Sequence, residues 1–463
     1  MNKYIEKWLA ENENDIFDLM KLIWSYRETA LKEFKTCALV ADYMRKQGFM
    51  VETLQAEKEG GDSHNTVIAT YGSGKPVIAV LGEFDALPGL GSEAVPYYAP
   101  LEGPGHACGH HLMAGAGVAG ACALRYAMEK ESIPGTLRFY GCPAEETLQG
   151  KVFLARRGLF NGCDVCTLYH PGGFAGVPGN VDFNAITSIE YIFQGKSAHG
   201  VRAEQGRSAL DAAELVSIGS QYLREHMTED CRIHHIYTEA GKAPNIVPDK
   251  AAIYFFIRSL DWNNVEMVRR MDLIANAAAM MTETTVTRKL HTACHGFKGN
   301  LALAKYIYEA AQKVPALDYT EEDYAFAKKI YREVIGKDAE TDNKHLLPTQ
   351  FLFNKQYIHM PGSIDLGDTC RVAPAIQFGA GGMVAGLPTH HWNTTATTGT
   401  HIGYASAIYA AAIHAQFGYD ALHNPQIIAD CWEEFYKNFG ENYKYTSLVD
   451  EVSKYLDDLG DFK

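Results

Sequence analysis

The stretch 136-TLRFYGCPAEE-146 places a nearly continuous apolar run directly before two adjacent glutamates. Residues 136–141 predict a buried β-strand, and runs of the same kind lie at 66–71, 76–81 and 165–169. A helix rich in small residues is predicted at 112–128, between the second and third of these four strands in chain order. Apolar strands interleaved with helices are typical of a mostly parallel sheet that helices cover on both faces. We therefore expect an α/β fold with a mixed, mostly parallel sheet flanked by helices.

A different order of elements begins at residue 185. The pattern predicts the strand 185–194, the helix 208–227, the strands 232–239 and 251–259, the helix 262–281 and the strand 284–292. This is the order of a split βαβ unit, compact enough to form an inserted α+β domain. We predict a discontinuous first domain of residues 1–184 and 293–463, with residues 185–292 as the inserted domain.

The composition excludes some classes of function. The 463 residues carry 42 Lys and Arg against 56 Asp and Glu, so the formal net charge is -14. Because such a surface repels phosphate backbones and anionic lipid, neither nucleic acid nor a membrane is an expected partner. The stretch 1–20 carries charges every few residues and no apolar run of signal-peptide length, so we expect a cytoplasmic protein. In that compartment the 10 cysteines are expected to be free thiols.

The segment 105-GHACGHH-111 is the first candidate for chemistry. Cys108 and His110 lie two residues apart in a predicted loop, a spacing that lets a thiolate and an imidazole bind one cation. Taken alone, the segment favours a packing role, in which small residues and imidazoles cap the helix at 112–128. The other strand ends decide between these two interpretations.

Cysteine, histidine and carboxylate side chains follow the ends of several predicted strands or lie in two loops: Asp85, Cys108, His110, Glu145, Glu146, His170, His390 and His391. Ligands of open α/β sheets gather at the carboxyl ends of the strands, so we expect these side chains to converge. Two adjacent glutamates ordinarily repel each other. A cation removes that objection, because one glutamate can bind it while the other acts as a base.

Seven motifs, in matching order along almost the whole chain, carry a resemblance to one family. They are GHACGHH (105–111), PAEE (143–146), FQGKSAHG (193–200), APNIVPDKA (243–251), FFIRS (255–259), GSIDLGD (362–368) and GLPTHHW (386–392). They resemble the co-catalytic metallopeptidases and amidohydrolases, which include aminoacylase, glutamate carboxypeptidases and p-aminobenzoyl-glutamate hydrolase, and the last of these most. The resemblance implies a catalytic domain of the zinc-peptidase type, with the inserted domain as a lid and dimerisation domain.

The same resemblance implies two divalent metal ions per subunit. Cys108 bridges them, the general base is Glu145, and the remaining ligands are His110, Glu146, His170 and His390. Thiolate with imidazole favours zinc, while the carboxylate leaves manganese or cobalt open. Relatives often carry Asp or Asn in place of His111, and Thr or Ser in place of His391, so the metal shell or the pocket polarity is expected to differ here.

The resemblance also implies roles for three residues of the inserted domain. His199 matches a histidine that stabilises the oxyanion, usually in the partner subunit's site, and this implies a homodimer through the lid domain. Asn245 and Arg258 match positions that hold the substrate. The planar guanidinium of Arg258 suits a substrate carboxylate.

We therefore expect a metal-dependent amidohydrolase that cleaves an N-acyl or N-aroyl amino acid similar to p-aminobenzoyl-glutamate, using a metal-activated water and Glu145 as general base. A dipeptidase or another acyl-amino-acid hydrolase on the same site is the first alternative. A non-catalytic metal-containing binding protein is disfavoured, because binding alone has no use for a base beside a ligating glutamate. A thiol redox protein that uses Cys163 and Cys166 is the remaining alternative.

Overall fold

The computed structural model describes residues 1–58, 63–339 and 345–458. Its helices are α1 (Lys3–Tyr26), α2 (Phe34–Lys46), α3 (His110–Glu131), α4 (Gly150–Arg156), α5 (Ala209–Leu223), α6 (Asp261–Thr282), α7 (Leu301–Ala311), α8 (Glu321–Ile335), α9 (Leu366–Thr369), α10 (Trp392–Thr398), α11 (His401–His423), α12 (Pro425–Phe439) and α13 (Leu448–Asp458). Its strands are β1 (Met50–Leu54), β2 (Thr66–Ser73), β3 (Val77–Glu83), β4 (Gly135–Cys142), β5 (Val165–Gly172), β6 (Ala175–Pro178), β7 (Val181–Phe183), β8 (Ala185–Gln194), β9 (Arg232–Glu239), β10 (Lys250–Ser259), β11 (Thr285–Cys294), β12 (Leu352–Asn354), β13 (Ile358–Met360) and β14 (Ala375–Gly382).

The larger sheet has eight strands in the order β1-β2-β4-β3-β5-β14-β6-β12. Its centre is parallel, because β3 pairs in parallel with β4 and β5, and β5 pairs in parallel with β14. The pairs β1–β2, β2–β4 and β6–β14 are antiparallel. Central strands such as β3 are buried along their whole length, as expected for a parallel sheet covered on both faces. The predicted α/β fold with a mixed, mostly parallel sheet is confirmed.

Small residues let α3 approach its neighbours closely. A Cβ atom on Gly117 would lie 2.8 Å from the ring of Phe139 in β4, and one on Gly120 would lie 2.8 Å from the Cβ atom of His414 in α11. Both distances are too short for real side chains, so these positions require glycine. The close packing fixes α3, which begins at His110, against the centre of the sheet.

The chain divides into two compact units. The first comprises residues 1–181, 298–358 and 369–443, and contains the eight-stranded sheet. The second comprises residues 182–297 and 359–368, together with the chain from Lys444 onward. The contribution of the two later segments to the second unit was not predicted from the sequence, because neither continues the βαβ pattern of residues 185–292.

The second unit has an antiparallel sheet in the order β11-β8-β10-β9. Helices α5 and α6 pack against β8 and β10, with buried apolar residues such as Val216 and Met271 facing the sheet. The strand β9 lies at the edge of this sheet and exposes Ile236 and Tyr237.

Two further observations concern expectations from the sequence. Among the described residues, no helix combines the length and the apolar character needed to cross a membrane. All 10 cysteines lie in the described part of the chain, they are buried, and no disulfide bond joins any two of them.

Candidate metal centre

The parallel centre of the larger sheet brings chemically active side chains to one edge. The strand β3 ends at Glu83 and is followed by Asp85, while β4 is followed by Glu145 and Glu146. His170 lies near the end of the neighbouring strand β5. Because these strands run in the same direction, their carboxyl ends meet, as ligand sites in α/β sheets require.

The turn before α3 adds Cys108 and His110. His110 begins the helix, whereas the sequence pattern predicted it in a loop. The difference comes from Gly109, which takes a φ of 84° at the helix N-cap. A Cβ atom on Gly109 would also lie 2.7 Å from the Cγ atom of Pro171, the residue after His170. Glycine is therefore needed to hold Cys108 and His110 close to His170.

Two non-glycine residues of the centre also have left-handed backbones. Ala144, directly before Glu145, has a φ of 55°, and His390 has a φ of 52°. Such conformations cost about 1–2 kcal/mol outside glycine and persist where the surrounding structure enforces them. For Ala144 the enforcing contact includes its N–H, which donates to the buried carboxylate of Glu33 at 2.7 Å.

The structure brings together all five residues that the sequence predicts as metal ligands. The ligand atoms of Cys108, His110 and His170 lie within 4.8 Å of one another, as do those of Cys108, Glu146 and His390. The Cys108 Sγ atom is 3.3 Å from His170 Nε2, and His390 Nε2 is 3.6 Å from a Glu146 carboxylate oxygen. Cys108 is common to both groups, which is the position that a bridging ligand must take.

Asp85 organises the buried side of this cluster. One of its oxygens pairs with Nδ1 of His110 at 2.9 Å, and the other accepts the backbone N–H of Glu146 at 2.9 Å. This leaves Nε2 of His110 to face the acidic groups, at 3.3 Å from Glu83 Oε2 and 3.8 Å from Glu145 Oε2. A carboxylate that holds the outer nitrogen of a histidine is a usual support for a metal ligand.

The side chains present fit a divalent cation. Three buried atoms, Glu83 Oε2, His110 Nε2 and Glu146 Oε1, have no hydrogen-bond partner among the described residues. Buried polar atoms are rarely left in this state, because each loses its hydration without compensation. The surrounding donors are thiol, imidazole and carboxylate, the set that zinc and manganese accept.

Burial dominates the proton equilibria of the cluster. It raises the pKa of the Cys108 thiol well above the usual range, and it raises the pKa of Glu146 to about 7 against the opposing charge of His110. It lowers the pKa of His170 to about 4. For His110, burial is outweighed by Cys108, Asp85 and Glu83, so the pKa lies well above its usual value. Cation binding reverses the shifts of Cys108 and Glu146, because bound thiolate and carboxylate have lost their protons.

Two residues of this region were not predicted from the sequence. Glu83 is the last residue of β3, and it forms a candidate cation-binding group with His110 and Glu145. Lys151, in α4, donates a 2.6 Å hydrogen bond to Glu83 Oε1. The spacing of Glu83 two residues before Asp85 was a usable signal, since alternate residues of an extended segment face the same side. No sequence pattern pointed to Lys151.

The two unusual histidines lie outside the candidate cation-binding groups of the described residues. His111 is fully buried, its Nε2 lies 3.0 Å from the carbonyl oxygen of Thr398, and its ring is 4.7 Å from that of His106. His391 precedes α10, and its Nδ1 pairs with Asn393 Oδ1 at 2.8 Å. Neither contact supports an altered metal shell, and both histidines help to fix loops that carry ligands.

The predicted substrate-contact residues all lie in the second unit. His199 and Asn245 are exposed neighbours, since the backbone of His199 bridges to Ile246 and the N–H of Gly200 donates to the carbonyl oxygen of Asn245 at 2.8 Å. Arg258 lies on β10, half-buried, with its guanidinium 5.8 Å from the ring centre of Phe256. The roles of these three residues stay predictions.

A cavity of about 210 Å³ adjoins the metal-ligand loops of the first unit. Its walls include Gly173, three residues after His170, and Thr389, directly before His390. The remaining lining is mainly apolar: Phe174, Met383, Val384, Gly386, Leu387 and Pro388, with Asn393, Thr394 and Thr397 at one side. Its volume is below the ~300–1,000 Å³ of sites for drug-sized ligands, so it suits one apolar group of a substrate.

Cys163 and Cys166, the alternative redox pair, are buried. Their exposed fractions are 2% and 0%. A hydrogen bond from Cys166, with further ones from Tyr140 and Arg138, lowers the pKa of Cys163 to about 7 despite burial. Redox-active thiols need access as well as a lowered pKa, so the burial disfavours this alternative.

Comparison with known proteins agrees with this geometry. A model of the peptidase family M20/M25/M40 matches residues 79–358. One of the subunits of the p-aminobenzoyl-glutamate hydrolase of Escherichia coli (strain K12) is 31% identical over 458 residues, covering 93% of this chain and 94% of that protein.

Solved structures show the same fold. An aminobenzoyl-glutamate utilization protein from Klebsiella pneumoniae matches with a TM-score of 0.62 at 18% identity, over 89% of this chain and 98% of that one. A dinuclear metal-binding peptidase of the M20 family from Bacillus subtilis matches with a TM-score of 0.58 at 18% identity, over 89% and 99%. These findings confirm the family resemblance seen in the sequence. The chain belongs to the peptidase family M20/M25/M40 and is a metal-dependent hydrolase of amide bonds.

Proposed function

We propose that the protein hydrolyses the amide bond of an N-acyl or N-aroyl amino acid with two divalent metal ions bound at the candidate metal centre. The observation that carries the proposal is the shared position of Cys108 between two candidate ligand groups. His110 and His170 complete one group, and Glu146 and His390 complete the other. The dinuclear relative from Bacillus subtilis supports the count of two ions.

Divalent cations at such a centre polarise an amide carbonyl and lower the pKa of a water toward ~7. Glu145 has the part of the general base. Its carboxylate is nearly buried and lies 3.8 Å from His110 Nε2, so it faces the centre. It takes a proton from the attacking water and delivers it to the departing nitrogen, which leaves as a neutral amine.

The second unit supplies the remaining groups in this proposal. His199 donates a hydrogen bond to the oxygen that becomes negative as water adds to the carbonyl. Arg258 pairs with the carboxylate of the amino acid, and Asn245 binds the substrate. We propose a homodimer that pairs through the second unit, with His199 acting in the partner's centre, and the exposed apolar residues of the edge strand β9 support this assembly.

The proposed substrate resembles p-aminobenzoyl-glutamate. The Escherichia coli relative bears that name, and its match covers nearly the whole of both chains. The apolar cavity beside His390 suits an aromatic or aliphatic acyl group.

The test uses the full chain, first treated with a chelator and then reloaded with zinc, manganese or cobalt. We expect loss of hydrolysis in the chelator, recovery with at least one metal, and bound metal approaching two ions per chain. Among p-aminobenzoyl-glutamate, N-acetyl amino acids and dipeptides, the aroyl-glutamate should give the highest kcat/KM. Hydrolysis that persists without metal would overturn the metal centre, and a preference for dipeptides would replace the substrate class.

A variant of the cavity sharpens the substrate test. Leu387→Trp narrows the cavity, so it should lower kcat/KM for the aroyl substrate more than for an N-acetyl substrate. Leu352→Trp, at an exposed residue outside the cavity lining, is the matched control and should change neither value. Equal losses for both substrates would place the acyl group elsewhere.

A further inference from the structure

A buried lysine lies beside the candidate metal centre. Lys151 Nζ donates to Glu83 Oε1 at 2.6 Å, and the exposed fractions of the two side chains are 0% and 2%. Lysine is almost never fully buried unless it is paired, because removing its charge from water is costly. An ion pair here must therefore have a specific cause.

Glu83 has two oxygens in different roles. Oε1 accepts the hydrogen bond of Lys151, whereas Oε2 has no hydrogen-bond partner among the described residues and lies 3.3 Å from His110 Nε2. His110 Nε2 is equally unpartnered within the described part of the chain. The ligand atoms of Glu83, His110 and Glu145 lie within 4.8 Å of one another. Glu83 thus connects the lysine to the position that a cation would occupy.

We propose that Glu83 is a further carboxylate of the metal centre and that Lys151 is its resident counter-ion, which compensates the charge of Glu83 when no divalent cation is bound. The inference rests on the metal centre proposed above. It adds a positioning residue, Lys151, which acts on the centre through Glu83 and does not itself touch the substrate.

The charges of the centre support this assignment. Cys108, Glu83, Asp85, Glu145 and Glu146 can together carry five negative charges when cations are bound, whereas two divalent ions carry four positive charges. The ammonium of Lys151 makes the sum zero. Neutrality matters here because Asp85 and Glu83 have exposed fractions of only 1% and 2%, where an uncompensated charge is strongly destabilising.

The first test removes the charge of Glu83 and keeps its shape. Glu83→Gln should weaken binding of zinc or manganese at least tenfold, measured by competition with a chromogenic chelator. It leaves a buried lysine next to the cation without its partner. If this variant does not fold, Glu83→Gln combined with Lys151→Met removes both charges and should show the same loss.

The second test removes the counter-ion. In Lys151→Met the carboxylate of Glu83 lacks compensation in chelator, but the cation compensates it in the loaded protein. The Tm in chelator should therefore fall by about 5 °C or more, and the Tm with bound metal should fall much less. The gap between the two Tm values thus widens.

An ordinary structural ion pair would behave differently. Arg288 and Asp272 form a buried pair in the second unit at 3.0 Å, so Arg288→Met should lower Tm equally with and without metal. Equal shifts for Lys151→Met, or unchanged metal affinity in Glu83→Gln, would overturn the inference while the wild-type protein still binds metal. Failure of the wild-type protein to bind any divalent cation would instead overturn the proposed function.

Discussion

The candidate metal centre and the substrate-contact set, which consists of His199, Asn245 and Arg258, are built in different ways. In the metal centre, His110 is fully buried, and one carboxylate, Asp85, holds both its ring and the backbone of Glu146. In the substrate-contact set, the His199 ring is exposed and accepts a hydrogen bond from the N–H of Val201, two residues along the chain.

The difference follows from what each set must bind. Groups that hold a cation need fixed positions, because coordination tolerates small errors in distance and angle only. Groups that meet the substrate late in a reaction can stay at the surface until the substrate orders them. Changes in the metal centre should therefore act on metal content or on proton transfer. Changes in the substrate-contact set should act on turnover or KM and leave the metal in place.

The largest effect is expected for the proposed base. Glu145→Gln keeps the size of the side chain but cannot move protons, so kcat should fall by ~10²–10⁴ with metal content unchanged. Its neighbour provides the matched comparison, since Glu146→Gln should lower metal content as well. Near-normal turnover of a fully metal-loaded Glu145→Gln enzyme would remove Glu145 from the mechanism.

The second effect tests the exposed histidine. His199→Ala removes a proposed donor to the oxyanion, and loss of one such donor typically lowers kcat by ~10²–10³. Metal content should stay at the wild-type value. His226→Ala, at another exposed histidine of the second unit, is the control and should leave kcat unchanged.

A mixing experiment decides whether His199 acts across a dimer. Subunits of His199→Ala and Glu145→Gln are combined and allowed to exchange. One site of each mixed dimer then has an intact Glu145 and receives an intact His199 from the partner subunit, so activity should partly return. Exchange without any recovery would confine His199 to its own subunit.

Much of the metal centre could be predicted from the sequence, because its residues follow strand ends. Glu145, Glu146 and His170 each follow or end an apolar run, and parallel strands bring those ends together without further information. The central strands were predicted close to their observed bounds for the same reason, since burial on both faces produces continuous apolar runs.

Other features depended on contacts that no local pattern encodes. Lys151 lies in the short helix α4, and its pairing with Glu83 joins residues 68 positions apart. The position of His110 in a helix depended on the backbone of Gly109, which a residue type permits but does not dictate. The segments at 359–368 and from Lys444 onward join the second unit through tertiary packing, which periodicity does not report.

A third prediction concerns Cys108. Cys108→Ser removes the thiolate shared by both ligand groups, so bound metal should fall from two ions per chain toward one or none. Cys122→Ser is the matched control, because Cys122 is also buried at α3 but lies outside the candidate cation-binding groups among the described residues. It should cost some stability and leave the metal content unchanged. Equal metal content in the two variants would contradict the shared position of Cys108.

The smallest effect is expected for Arg258. Arg258→Lys keeps the positive charge but replaces a planar fork with a point charge, so KM for an acyl amino acid should rise about tenfold with little change in kcat. Arg232 lies opposite Arg258 on β9 and is exposed, so Arg232→Lys is the control and should leave KM unchanged.

A substrate whose carboxylate is converted to an amide completes the test of Arg258. The wild-type enzyme should bind it more weakly than the parent substrate, and Arg258→Lys should weaken that binding no further, because the group that Arg258 recognises is already absent. An additional loss in the variant would show that Arg258 acts on some other part of the substrate or on the fold of β10. The comparison between the two sets would then no longer hold for this residue, since its effect would be structural, as in the metal centre.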